Sequence, residues 1–234
     1  MPTIKNIATL SLAFILLISL CFSCNFMQKE TTKKNILQVD YYARYLQADK
    51  QLKVNISFTE IDSTEKLIPK KMEEVLFANK VLNGKKISNA YRYQLVTQMP
   101  FTENNYGLTY RLNQTEIDSV AIPIQAMSDF SIKKGKVSKT AGTNLVFEGI
   151  EQSTEETLVL LFSDVNHKTA TIKIGNHPIN TPIIILPEQV NQLAAGKGNV
   201  YLVKKQTIQT KSATTELTGL TEYYSAVQEI EIIE

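Results

Sequence analysis

The stretch Gln51–Glu60 reads QLKVNISFTE. Leu52, Val54, Ile56 and Phe58 fall on one side of an extended chain, and Lys53, Asn55, Ser57 and Thr59 on the other. A period of two marks a strand with one buried face, because a helix repeats its apolar residues every three or four positions. The same alternation returns in GLTYRLNQ with Leu108, Tyr110 and Leu112, and in TATIKIG with Ala170, Ile172 and Ile174. It returns again in AVQEIEI with Ile230 and Ile232. ETLVLLFSD (156–164) and TPIIILPEQ (181–189) hold continuous apolar runs, the pattern of strands buried on both faces. Turn residues separate these segments: Asn83-Gly84, Lys134-Gly135, Asp164 to His167, Gly175-Asn176 and Gly196 to Gly198.

Helical spacing competes only over Lys70–Lys80, just beyond Pro69. One short helix is expected at PEQVNQLA, with Pro187 in the first position and Val190, Leu193 and Ala194 on one face. Many short strands separated by turns predict an all-β protein. The expected organisation is two tandem immunoglobulin-like antiparallel β-sandwich domains, 39–125 and 126–234. The boundary falls in VAIPIQAMSDFSI, where Pro123 interrupts the strand pattern. In the second half FSI, NLVFEG, TLVLLFSD, TATIKIG, IIILPEQ, VYLVKK and VQEIEI supply the strands.

Composition excludes several functions. With 43% hydrophobic and 21% charged residues the 234-residue chain is globular rather than disordered. The net charge is +2, with Lys and Glu interleaved, so no basic block long enough for a nucleic-acid groove exists. Trp is absent, which argues against a Trp-lined sugar platform.

The first 23 residues are a signal peptide by pattern. Met1–Asn6 holds one cation, Lys5, and Ile7–Ser23 holds no charge. A spanning helix needs about 20 apolar residues, and this run is shorter. The only two cysteines, Cys21 and Cys24, lie at its end in CFSC. The segment FSC, with small Ser23 before Cys24, resembles a bacterial lipobox. That resemblance implies cleavage before Cys24 and a diacylglyceryl group on its thiol. Two thiols in a signal peptide cut elsewhere, or a thioredoxin-like CxxC, are the other readings of these residues. Cleavage before Cys24 leaves no second thiol, so the mature fold has no internal disulfide. Residues 24–38 then form the lipidated cysteine and a polar tether. Its Gln28-Lys29-Glu30 is similar to the charged tracts behind the lipidated Cys of surface lipoproteins in Bacteroidetes. The FSC segment, SKTAGTNLVFEGI, GNVYLVKKQ and EYYSAVQEIEI together resemble uncharacterised, anchored β-sandwich lipoproteins of Bacteroidetes. The resemblance implies an outer-membrane lipoprotein, periplasmic or surface-exposed, and it lends no catalytic residues.

Few constellations offer chemistry. His167 and His177 sit in turns, and with Asp164 they match no zinc spacing. No G-x-S-x-G elbow is present. Glu60, Asp62 and Glu65 lack the glycine and terminal glutamate of a calcium loop. Glu148 with Glu151, or Glu155 with Glu156, is not a pair that any motif brings to one cleft. No cofactor, metal or catalytic set is expected, and a hydrolase ranks last. The more telling pattern is that Arg44, Arg92 and Arg111 are the only arginines and each neighbours a Tyr, in ARY, YRY and YRL. Tyr and Arg dominate binding hot spots, so Tyr42, Tyr93 and Tyr110 with the three arginines form a candidate binding face. Adjacent strand residues face opposite sides, so Tyr inward with Arg outward is the competing arrangement. The expected role is a non-enzymatic, membrane-anchored binding or scaffolding module with a protein or glycan partner and no nucleic acid. The alternative is an accessory subunit of an outer-membrane uptake or secretion system that binds glycan or peptide.

Overall fold

Alternation sets the first hairpin of the computed structural model, which describes residues 36–62, 64–88, 90–113, 117–127, 129–147, 156–175, 181–212 and 214–234. In β1 (Ile36–Leu46) Val39, Tyr41, Ala43 and Tyr45 are buried. In β2 (Gln51–Ile61) Leu52, Val54, Ile56 and Phe58 are buried, as the sequence requires. The first half continues with β3 (Leu67–Pro69), β4 (Glu74–Phe77), β5 (Lys80–Val81), β6 (Asn83–Ile87), β7 (Ala90–Gln98), β8 (Asn105–Arg111) and β9 (Ile117–Pro123). Then come β10 (Phe130–Ile132), a 3-10 turn at Lys133–Gly135, β11 (Lys136–Ser138), β12 (Thr143–Phe147), β13 (Glu156–Asp164) and β14 (Thr169–Ile174). The last elements are β15 (Ile183–Ile185), the single-turn helix α1 (Pro187–Val190), β16 (Gly196–Lys211), β17 (Thr215–Tyr224) and β18 (Gln228–Ile233).

The strands form one large sheet and two small ones. The large sheet contains the run β14-β13-β16-β17-β1-β2-β7-β6. β16 is shared along its length: Gly196–Val200 bonds β18, and Val203–Lys211 bonds β17 on the same edge. β11 extends the sheet beyond β18, and β3 adds to the end of β2. The small sheets are β5-β4-β8-β9 and β10-β12-β15. The four-stranded one packs on the first, buried face of β1 and β2. Tyr110 meets Phe58 with ring centroids 5.0 Å apart. Phe101 joins Tyr45, Tyr106 and Tyr223 at 4.9, 5.9 and 5.2 Å. Aromatic pairs at such separations add to the area they bury.

The all-β expectation is met. The sheets, however, are not divided at residue 125. β1 is bonded in parallel to β17, from Leu37 opposite Thr215 to Leu46 opposite Tyr224, and residues Asn35–Glu234 form one compact unit. A strand with four inward apolar residues is stabilised when both its edges are paired, and β2 supplies only one of them. Gly219 of β17 makes the close pairing possible. A Cβ there would lie 2.2 Å from the Tyr41 ring, so only glycine leaves room for it.

Four local expectations are corrected. Lys70–Lys80 is a hairpin and not a helix, with Val75 and Phe77 inward and positive φ at Ala78 and Asn79, the geometry of a two-residue primed turn. Asn83-Gly84 lies within β6, where Gly84 accommodates the Tyr93 ring. Gly196 to Gly198 begins β16, with Gly198 against Ile232 and Ser163. The Ile183–Ile185 run is an edge strand paired only with β12, and it alternates rather than being buried on both faces: Ile183 and Ile185 point inward and Ile184 is 67% exposed. α1 begins at Pro187 as expected but ends at Val190, so Leu193, though buried, lies in the turn that follows rather than on a helical face.

Candidate functional site

Period two gives the large sheet a second face, opposite the core. On it, register rows cross the central strands. Lys205, Glu222, Arg44 and Lys53 lie side by side on β16, β17, β1 and β2. The next row is Thr207, Leu220, Tyr42, Asn55, Gln94 and Asn83, ending on β6. Beyond it lie Gln209, Thr218, Asp40, Ser57, Arg92 and Lys85, ending on β6.

Glu222 is the centre of this face. It is 5% exposed although it projects away from the core, because its neighbours close over it. One carboxylate oxygen accepts the Tyr42 hydroxyl at 2.7 Å and the Tyr224 hydroxyl at 3.0 Å, and the other meets Lys205 Nζ at 2.6 Å. Burial acts to raise its pKa, but the hydrogen bonds from Lys205, Tyr42 and Tyr224 together outweigh it and hold the carboxyl below the usual range. Burial, then the nearby Glu222 charge, pushes the Tyr224 phenol up to about 12 and raises Tyr42 as well. Both phenols therefore stay protonated donors at neutral pH. The Arg44 guanidinium lies 5.7 Å from the Tyr224 ring centroid, and its buried Nε has no hydrogen-bond partner among the described residues. Beside this cluster is a shallow concavity of about 520 Å³ lined by Val159, Leu161, Lys173, Val203, Lys205 and Leu220 among others.

The structure splits the six residues of the expected Tyr/Arg face. Tyr42, Arg44 and Arg92 share the open face. Tyr93 and Tyr110 are buried in the core. Tyr93 donates to the Met72 carbonyl at 3.0 Å and accepts the Met72 N–H at 2.6 Å, while Tyr110 donates to Asp118 at 2.9 Å. Arg111 is on β8 in the four-stranded sheet and pairs with Glu74 at 2.6 Å. The physical reason is parity. Each of these tyrosines takes the inward place and its arginine the outward one, and β8 belongs to another sheet. Glu222, Tyr224, Lys205 and Lys53 were not singled out from sequence. Lys53 was visible as the polar side of Gln51–Glu60. The others needed the β16–β17–β1 register.

The acidic candidates have structural work. Asp62 Oδ1 accepts the Thr64 N–H at 2.8 Å, its hydroxyl at 2.7 Å and the Lys66 N–H at 2.9 Å, and these bonds, the hydroxyl first, lower its pKa. Glu60 is ion-paired with Lys70. Asp164 accepts three backbone N–H groups, from Asn166 at 2.8 Å, Lys168 at 2.9 Å and Ala194 at 2.7 Å, and the Ala194 bond leads in lowering its pKa. His167, at φ 62°, shares with Asp164, Lys197 and Glu229 a recess of about 680 Å³. Among the described residues no group of three or more His, Cys, Asp and Glu is placed to hold a metal. Cys24, His177, Glu148, Glu151 and Glu155 lie outside the described residues. Among the described residues no helix is long and apolar enough to cross a membrane. No protein-family model matches the chain, and no curated protein does.

Proposed function

We propose that the protein is a non-enzymatic, lipid-anchored binding module of the bacterial outer envelope, and that the open face of the large sheet is its recognition surface. The observation that carries the surface is the Glu222 cluster. A buried carboxylate fixes two tyrosines and a lysine on the face opposite the core. Groups held in place before a partner arrives lose less conformational entropy on binding. The anchor is supported by the export signal and by Cys24 after Ser23. The division into one large sheet and two small ones supports a sandwich description, with β1 and β17 joining the early and late segments.

Two arms of one experiment in cells test the proposal. Metabolic labelling with a palmitate analogue is expected to mark wild type and to be lost in Cys24→Ala. A photoreactive side chain in place of Asn55 on the open face is expected to give partner adducts, while one in place of Ser119 on β9 is not. Unchanged labelling removes the anchor, and equal adducts at the two positions remove the face.

A further inference from the structure

We infer that the open face binds a linear acidic polysaccharide, held by its carboxylate or sulfate groups; this rests on reading that face as the recognition surface. The first observation is a charge conflict built into the sheet. Arg44 lies directly opposite Lys53, and Lys85 directly opposite Arg92. Like charges facing each other across a ladder destabilise it. None of these four cations has an ion-pair partner among the described residues. Glu222 is taken up by Lys205, and Asp40 accepts from Gln38 at 3.1 Å. Lys173, exposed on β14, adds a further positive charge to the same face. An anion between Arg44 and Lys53 converts their repulsion into two charge-assisted hydrogen bonds and gives the buried Arg44 Nε an acceptor.

The second observation concerns what surrounds the cations. The backbone groups of β16, β17, β1 and β2 are engaged in ladders on both edges, so a peptide cannot add there as a strand. A ligand on this face touches side chains alone. Tyr201 and Tyr224 stack with centroids 6.1 Å apart and planes 29° apart, and Tyr42 lies near by on β1. Their rings suit the apolar faces of sugars. Between the charges stand neutral Asn55, Ser57, Gln94 and Thr207, which match hydroxyl groups. Sparse cations spaced by neutral hydrogen-bonding groups and flat rings describe a polymer with hydroxyls and intermittent acids. A nucleic acid, with phosphate at every step, asks for denser positive charge.

The test measures binding of the full chain in detergent micelles to polygalacturonate and to chondroitin sulfate. Comparators are methyl-esterified polygalacturonate, single-stranded poly-dT and phosphatidylglycerol vesicles. The expected result is binding to at least one acidic polymer that weakens as ionic strength rises. Esterification of the carboxylates, or the double variant Arg44→Gln with Lys53→Gln, is expected to weaken binding about tenfold or more, as loss of charge-assisted contacts does. Arg111→Gln, whose residue is paired with Glu74 in the separate four-stranded sheet, is expected to bind as wild type. Circular dichroism confirms that the variants fold. Binding to neither acidic polysaccharide, tighter binding to poly-dT or vesicles, or wild-type binding by the folded double variant overturns the inference. The surface reading itself fails only if the Asn55 adduct does.

Discussion

Lys204 and Lys205 are neighbours on β16, and each holds a glutamate, but they do so on opposite sides of one sheet. Lys204 points into the core, 8% exposed, with Glu156 at 4%. Its ammonium meets Glu156 at 3.2 Å and donates to Gln125 at 2.9 Å, tying β16 to the segment after β9. Lys205 meets Glu222 at 2.6 Å with its side chain 37% exposed. Water can take over part of the second interaction and little of the first. Removing one member of the inner pair strands a charge, whereas loss of Glu222 leaves a half-buried Lys205 that solvent can satisfy, and loss of Lys205 leaves Glu222 with its two tyrosine hydroxyls.

The largest effect tests the inner pair. Glu156→Ala is expected to cost about 3–5 kcal/mol in denaturant unfolding. Glu156→Leu combined with Lys204→Met should recover most of that loss, since an apolar pair of similar volume replaces the ions. The outer pair comes next. Glu222→Gln is expected to cost about 1 kcal/mol at neutral pH. Its pH dependence has a definite sign. The folded carboxyl titrates below its unfolded value of about 4.3, so its stabilisation is complete above that pH. The stabilisation is lost as pH falls through the lower folded value, and the gap between wild type and Glu222→Gln should close on acidification. Lys205→Met is the smallest, about 0.5 kcal/mol, as for a solvent-screened ion pair. Equal losses from Glu156→Ala and Glu222→Gln would break the comparison between the two faces.

Much of the fold was legible where inward positions are apolar. Leu52 to Phe58, Ala170 to Ile174, and Ile230 with Ile232 are all buried as their alternation demands. β17 was hidden because its inward residues are Leu217, Gly219, Thr221 and Tyr223. Gly219 is there for the Tyr41 ring, and Thr221 is buried at 3%, so no hydrophobic period appears. Missing β17 meant missing Glu222, and with it the link between Tyr42 and Lys205. The outward Arg beside an inward Tyr was readable at Tyr93 and Tyr110 from parity alone. Which sheet each strand joins was not, because β1 and β17 are paired across most of the chain.

The β1–β17 ladder also governs when the molecule can form. A ribosome makes Ile36–Leu46 long before its partner Thr215–Tyr224. Until the late segment emerges, the early one keeps a bare edge that invites pairing with other nascent chains. Joining ends so remote also makes folding slow. Such a polypeptide stays threadable until the late segment is made.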